Sequence, residues 1–317
     1  MLKKIYIKKL IICGAALFTI LLIYLIPNEK TLDIKEEINY VNNDIETSNI
    51  FLLDRNNYLA NTNIVTEEKD IVKKAKELLN ALIIDSNMQD KIPNGFKALI
   101  PSGTNILSIT YDNNLIKVNF SKDLLNTNKD NEEKIIEAIV YTLTSIENVD
   151  YVIIYIEGEV LTKLPKSNIT LPHLLDRSFG INKEYNITSN KNISKTTIYY
   201  ISSFNDNTYY VPVTKVTNDN RNKIEIIIDE LSSNNVYKSN LMSYLNSNTE
   251  IINVLEKDNE LVIDFNSAIY NDINTKDILE EVIYTISMSI SDNYNVSSVV
   301  FNVENEEIYK SVLKTLE

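Results

Sequence analysis

The sequence predicts an α+β protein: two tandem copies of one small α-β-β-α-β domain, each with extra N-terminal strands, behind a single N-terminal transmembrane helix. Three observations lead there. Residues 102–124 align with residues 247–269 without a gap, and two further blocks recur after them in the same order. Within each copy the apolar spacing switches between the i, i+3, i+4, i+7 stripe of a helix and the alternation of a half-buried strand. Ahead of both copies, Leu10 to Ile26 is an uncharged run of 17 residues preceded by Lys3, Lys4, Lys8 and Lys9.

The repeat is the strongest signal, because blocks recurring in order mark a duplicated unit. Ser102, Thr104, Ile106, Asn114 and Phe120 recur as Ser247, Thr249, Ile251, Asn259 and Phe265. Glu137 through Leu143 pairs by residue type with Glu280 through Ile286, which sets Tyr141 opposite Tyr284. Val149 through Glu159 matches Val296 through Glu306.

Each copy then reads alike. Ile71, Ala75, Leu78, Leu79 and Leu82 form one helical stripe, and Ile224, Ile227, Ile228 and Leu231 form its counterpart. A hairpin follows, with Leu107 and Ile109 alternating up to Asn113-Asn114 and Ile116, Val118 and Phe120 alternating back; Asp258-Asn259 is the second copy's turn. Asn and Asp tolerate the left-handed backbone of a tight hairpin turn. A second helix carries Ile136, Ile139, Val140 and Leu143, or Leu279, Val282, Ile283 and Ile286, before the closing strand Tyr151–Ile156 or Val299–Val303. The helices are expected on one face of a mixed sheet. Ile50–Leu53 and Ile198–Ile201 add a strand ahead of each copy. The expected organisation is a basic cytoplasmic tail (1–9), an anchor (10–26), a linker (27–47), a first domain (48–160), a connection (161–195) and a second domain (196–312).

At ~1.5 Å per residue the apolar run spans ~25 Å, close to the ~30 Å of a bilayer's hydrocarbon core. No small-residue cleavage site ends it, and Ile12 is too bulky to precede a lipid-modified Cys13. The expectation is an uncleaved anchor, with the lysines in the cytoplasm and the body outside.

Without the four leading lysines, 27 basic side chains face 44 acidic ones, a balance of −17 for residues 10–317. Such a body repels nucleic acid and anionic lipid. Cys13 is the only cysteine and His173 the only histidine, so a zinc centre or a histidine-based triad has almost nothing to be built from. Five glycines are too few for a phosphate-cradling loop alongside the turns.

Several segments resemble the GerM family of sporulation and spore-germination proteins, which carry two GerMN domains. The residues are Ile92-Pro93-Asn94-Gly95-Phe96-Lys97-Ala98, Val118-Asn119-Phe120-Ser121 and Tyr141-Thr142-Leu143-Thr144. Leu164-Pro165, Asp176 through Asn182, Tyr209 through Lys215 and Ile263 through Asn266 continue the pattern. The resemblance implies a fold like the ring-building motif of secretion and sporulation channels. It also implies a role outside a membrane during spore formation, between mother-cell and forespore membranes, with other envelope or channel proteins as partners. Family members are often lipoproteins, which this N-terminus does not match.

No residue is expected to be catalytic, to bind a cofactor or to hold a metal. Asp264 reads as a solvated strand-face residue, Glu137 and Glu280 as exposed flanks of the helix stripe, and Tyr141 and Tyr284 as packing rings. The candidate partner-binding residues are Tyr199, Tyr200, Tyr209 and Tyr210, on the aromatic-rich strands Thr197–Ile201 and Thr208–Val213. The expected function is non-enzymatic assembly or scaffolding of the envelope through protein–protein contacts. The alternative is a cell-wall enzyme accessory or an envelope-signalling sensor.

Overall fold

The computed structural model describes residues 14, 15, 46–233 and 240–313. Apart from Gly14 and Ala15, the expected anchor lies outside these, as do the basic tail and residues 27–45 of the linker. Among the described residues no helix is long and apolar enough to cross a membrane. The described residues from 46 onward belong to one compact unit.

The first copy runs β1 (Thr47–Leu53), β2 (Leu59–Val65), α1 (Ile71–Leu82), β3 (Ile106–Asp112), β4 (Leu115–Phe120), α2 (Lys129–Leu143), β5 (Tyr151–Ile156) and β6 (Glu159–Val160). After a short β7 (Glu184–Asn186), the second runs β8 (Ser194–Phe204), β9 (Asn207–Thr217), α3 (Lys223–Ser232), β10 (Ile251–Lys257), β11 (Glu260–Phe265), α4 (Glu280–Asn293), β12 (Ser298–Val303) and β13 (Glu306–Val312). The α-β-β-α-β order is present twice, each time with one further strand closing the sheet.

Local chemistry explains the elements. The two central hairpins turn at Asn113-Asn114 (φ 49° and 62°) and Asp258-Asn259 (φ 51° and 64°). Two successive left-handed residues match the twist of the strands they join, which is why Asn and Asp stand there. Asp70, Asn128 and Asn222 cap α1, α2 and α3 by accepting from backbone N–H groups of the first turn. The sheets run β3-β4-β5-β6 and β10-β11-β12-β13. In each the middle pair is parallel and the outer pairs are antiparallel.

The structure refines the expected organisation in three ways. First, the strands ahead of each copy pack on that copy's own helices but do not form a separate sheet. Hairpins β1–β2 and β8–β9 meet where Asn61 faces Tyr210, and with β7 they make one five-stranded sheet shared by both halves. An unpaired strand edge needs a cover, and the duplicated edges cover one another. Second, the helix pairing slips by one turn. Thr142 Oγ1 accepts from Phe51 N at 3.1 Å, and its counterpart is Ser289 Oγ, which accepts from Tyr199 N at 2.9 Å. Ile135, Ile139 and Leu143 therefore correspond to Val282, Ile286 and Ile290, all buried. Tyr284 then takes the place of Glu137, not of Tyr141. A one-turn shift preserves an apolar stripe, so residue similarity alone tolerates the wrong register. Third, the connection 161–195 is itself packed, with Leu164, Leu171, Leu175, Phe179 and Ile181 entering the first core.

Helix α2 is buried on all sides from Ile135 to Leu143. The four-stranded sheet and strand β1 both pack on it. The shared sheet thus forms a layer beneath the helices of both copies, which places the seam between them in the interior.

Candidate functional site

The seam is built around the segment from Asp176 to Lys183. Asp176 starts a single helical turn by accepting from Ser178 N, and Gly180 ends it at φ 88°. A Cβ on Gly180 would sit 2.9 Å from Thr214 Cγ2, so a bare backbone is required there. Ile181 and Thr214 then exchange bonds: Ile181 N donates to Thr214 Oγ1 and Thr214 N donates to Ile181 O, each at 2.9 Å.

Asn182 joins the halves. Its amide donates to Leu59 O on β2 and Pro212 O on β9, both at 2.8 Å, and its Oδ1 accepts from Leu59 N at 2.9 Å. Its backbone N–H donates to Glu137 Oε2 on α2. A buried carboxylate could not donate to those two carbonyls, so Asn is required where Asp is not equivalent. Lys183 Nζ donates to Glu133 and Glu137 at 2.7 and 3.0 Å and lies 3.5 Å from the centre of the Phe179 ring. Burial pushes the Glu137 carboxyl above its ordinary range, while the ammonium of Lys183 opposes that shift.

Arg177 locks the other side. Its guanidinium reaches Asp292 Oδ1 on α4 at 2.6 Å, Tyr199 Oη at 3.3 Å, Thr144 Oγ1 at 3.1 Å and Ser145 Oγ at 2.9 Å. It also lies 4.9 Å from the centre of the Tyr141 ring. Tyr199 donates to the second oxygen of Asp292. One side chain thereby connects the C-terminal end of α2 in the first half with α4 in the second, where a planar fork fits and an ammonium does not.

A third contact lies between Ile92–Ala98 and the β8–β9 hairpin. Gly95 at φ 95° passes under Phe204, whose ring would stand 2.5 Å from a Cβ there. Phe96 meets Tyr209 edge to face at 4.9 Å, and the Tyr209 hydroxyl donates to Asp54 Oδ2 at 3.0 Å. The motifs scattered along the sequence thus converge on one seam.

Residues 49–162 and 197–309 both match the Germane family, described as sporulation and spore germination. The chain belongs to the Germane family. It is 28% identical over 263 residues to the spore germination protein GerM of Bacillus subtilis strain 168, covering 81% of this chain and 71% of that one. It is also similar to the solved tandem GerMN domains of the sporulation protein GerM from Bacillus subtilis, with a TM-score of 0.73 at 27% identity over 82% of this chain and 92% of that one. Two tandem GerMN-like domains are therefore the architecture of this Germane chain.

The tyrosines expected to bind partners are placed otherwise. Tyr199, Tyr200 and Tyr209 are 0%, 3% and 7% exposed. Their strands lie inside the shared sheet, with helices α3 and α4 against β8, so the rings serve the seam and the second core and offer no docking face. Tyr210 is half-buried and stacks on Tyr284 at 4.0 Å. Glu137 is buried, a correction to its expected exposure, because the segment Asn182–Lys183 covers it; Glu280 is exposed. Asp264 is buried too: its Oδ1 accepts from Asn305 N at 2.9 Å, as Asn119 accepts from Gly158 N at 3.0 Å in the first copy. Both hold the turn after the closing strand. His173 is exposed, and among the described residues no group of three or more His, Cys, Asp or Glu could hold a metal.

Sequence reasoning missed Arg177, Asn182, Lys183 and Asp292 as individuals. A signal existed for one of them. The chain has three arginines against 28 lysines, so each arginine stands where lysine was the default. Arg55 lies over the Phe204 ring, Arg221 grips Asp219 with two nitrogens, and Arg177 forms the seam.

Proposed function

We propose that this Germane protein is a non-enzymatic assembly protein of the cell envelope in sporulation and spore germination. In this reading it holds two GerMN-like domains as one rigid body and presents both to protein partners. The observation behind it is the seam: a shared sheet, a buried Asn182 clamp and the Arg177–Asp292 pair. Fixing two binding surfaces at one spacing raises effective concentration and removes the ordering cost a flexible linker would impose. The partners are other envelope or channel proteins. The place of action is the outer face of a membrane, in the space between mother-cell and forespore membranes, reached through the N-terminal anchor.

The test is to loosen the seam without emptying either core. Arg177→Met combined with Asn182→Ala should leave two folded halves, seen as retained circular dichroism with a new protease-sensitive site between residues 161 and 195. Spore yield or germination should fall. Wild-type sporulation and germination from a chain shown to be loosened would refute the rigid-body role.

A further inference from the structure

In the first copy a depression of about 230 Å³ opens beside the β1–β2 turn. Leu53, Ile84 and Leu99 contribute apolar surface, and Lys97 and Lys134 stand at it with Asn57. Ile84 is 39% exposed, so the apolar floor reaches solvent. Lys97 Nζ donates to Asn57 Oδ1 at 3.3 Å and Lys134 Nζ to Asn57 O at 2.7 Å, both neutral oxygens. No carboxylate is among the residues lining it. In a body carrying 44 acids, two lysines around an acid-free apolar hollow are out of keeping with their surroundings.

The duplication supplies an internal control. Lys97 bridges Leu53 as Met242 bridges Ile201, so Met242 occupies the equivalent place in the second copy. With the helix register set by Thr142 and Ser289, Lys134 corresponds to Glu281. At the two positions that can be matched, the second copy carries a methionine and a glutamate in place of the lysines.

We propose that this hollow binds an acidic peptide segment of a partner protein, with an apolar side chain seated on Ile84 and flanking carboxylates paired with Lys97 and Lys134. This rests on the assembly reading above and names the chemistry of one partner. Charge complementarity selects the occupant: a second copy of this acidic chain would be repelled over most of its surface. The apolar floor favours a peptide over a purely anionic polymer.

The experiment uses the full-length chain in detergent and a short fluorescent peptide bearing one leucine between glutamates, read by anisotropy. Saturable binding that weakens with salt is expected. Replacing the glutamates with glutamine, or introducing Lys97→Met with Lys134→Glu, should each weaken binding about tenfold, as expected for two partly solvated ion pairs. Lys97→Arg with Lys134→Arg should retain binding, and Lys163→Gln, elsewhere on the surface, should not change it. An unchanged unfolding midpoint will show that the Met/Glu variant is folded. Three results would overturn the proposal: no binding, equal binding by the Met/Glu variant, or equal binding of polyphosphate. Because Lys97 belongs to the Ile92–Ala98 segment of the seam, Lys134→Glu alone is measured as well and should weaken binding in the same direction, while the Arg177 and Asn182 variants test the rigid-body reading separately.

Discussion

Arg177 has more partners across the seam than any single substitution could replace, and Asp292 opposite it has a side chain only 1% exposed. Removing the arginine leaves that carboxylate buried without its cation, so Arg177→Met should lower unfolding free energy by about 3–5 kcal/mol in a urea titration. Arg177→Lys should recover less than half of the loss, because an ammonium cannot reach Asp292, Thr144 and Ser145 together. Recovery to wild type by lysine would mean that charge alone matters. Gly180→Ala tests the same segment by strain. A left-handed φ and a close approach to Thr214 together should cost about 1–3 kcal/mol, measured the same way.

At the scale of elements, the two hairpin turns give a matched pair of experiments. Asn259→Gly should stabilise by about 0.5–1 kcal/mol, since glycine adopts the left-handed conformation without penalty. Asn114→Gly should gain less, because its amide also donates to Asp150 Oδ2 at 3.0 Å. Equal gains would show that this bond contributes nothing. Such turns were legible in the sequence because they depend on neighbours in the chain, as were the helix stripes and the alternating strands. The shared sheet was not. Asn61 and Tyr210 pair across about 150 residues, and nothing in either strand names the other. The same gap explains the tyrosines: an aromatic-rich strand reads as a surface until its cover is known. The helix register was hidden by the periodicity that revealed the helix.

The whole molecule should show its buried phenols at high pH. Burial first, then Tyr284 and the acids Glu281 and Glu280, push Tyr210 up to about 12. Burial likewise raises Tyr141, Tyr199 and Tyr200, with Asp292 adding to the first two and Glu230 to the third. A folded state that keeps these protons contributes stability fully present below the ordinary value of 10 and lost as pH rises through the folded value. Unfolding midpoints should therefore fall steeply between pH 10 and about 12. In an absorbance titration the late-ionising tyrosines should appear together with loss of structure. Full ionisation of all tyrosines in one step with the fold intact would contradict the buried seam. Orientation is a separate question: a reporter fused after Glu317 should be active only outside the cytoplasm, and cytoplasmic activity would refute the anchored topology.

Strand β2 also sets a schedule. The ribosome delivers the first copy long before β9 exists, and at about 5–20 residues per second the gap between Val65 and Pro212 is on the order of ten seconds. Throughout that interval the edge of β2 awaits its neighbour, on a nascent chain surrounded by other nascent chains. Its sequence, Leu59-Ala-Asn-Thr-Asn-Ile-Val65, places two asparagines and a threonine at its middle, where a strand of unbroken β-branched residues would invite premature pairing. The polar centre of β2 thus guards a half-made protein against its neighbours until its own second half arrives.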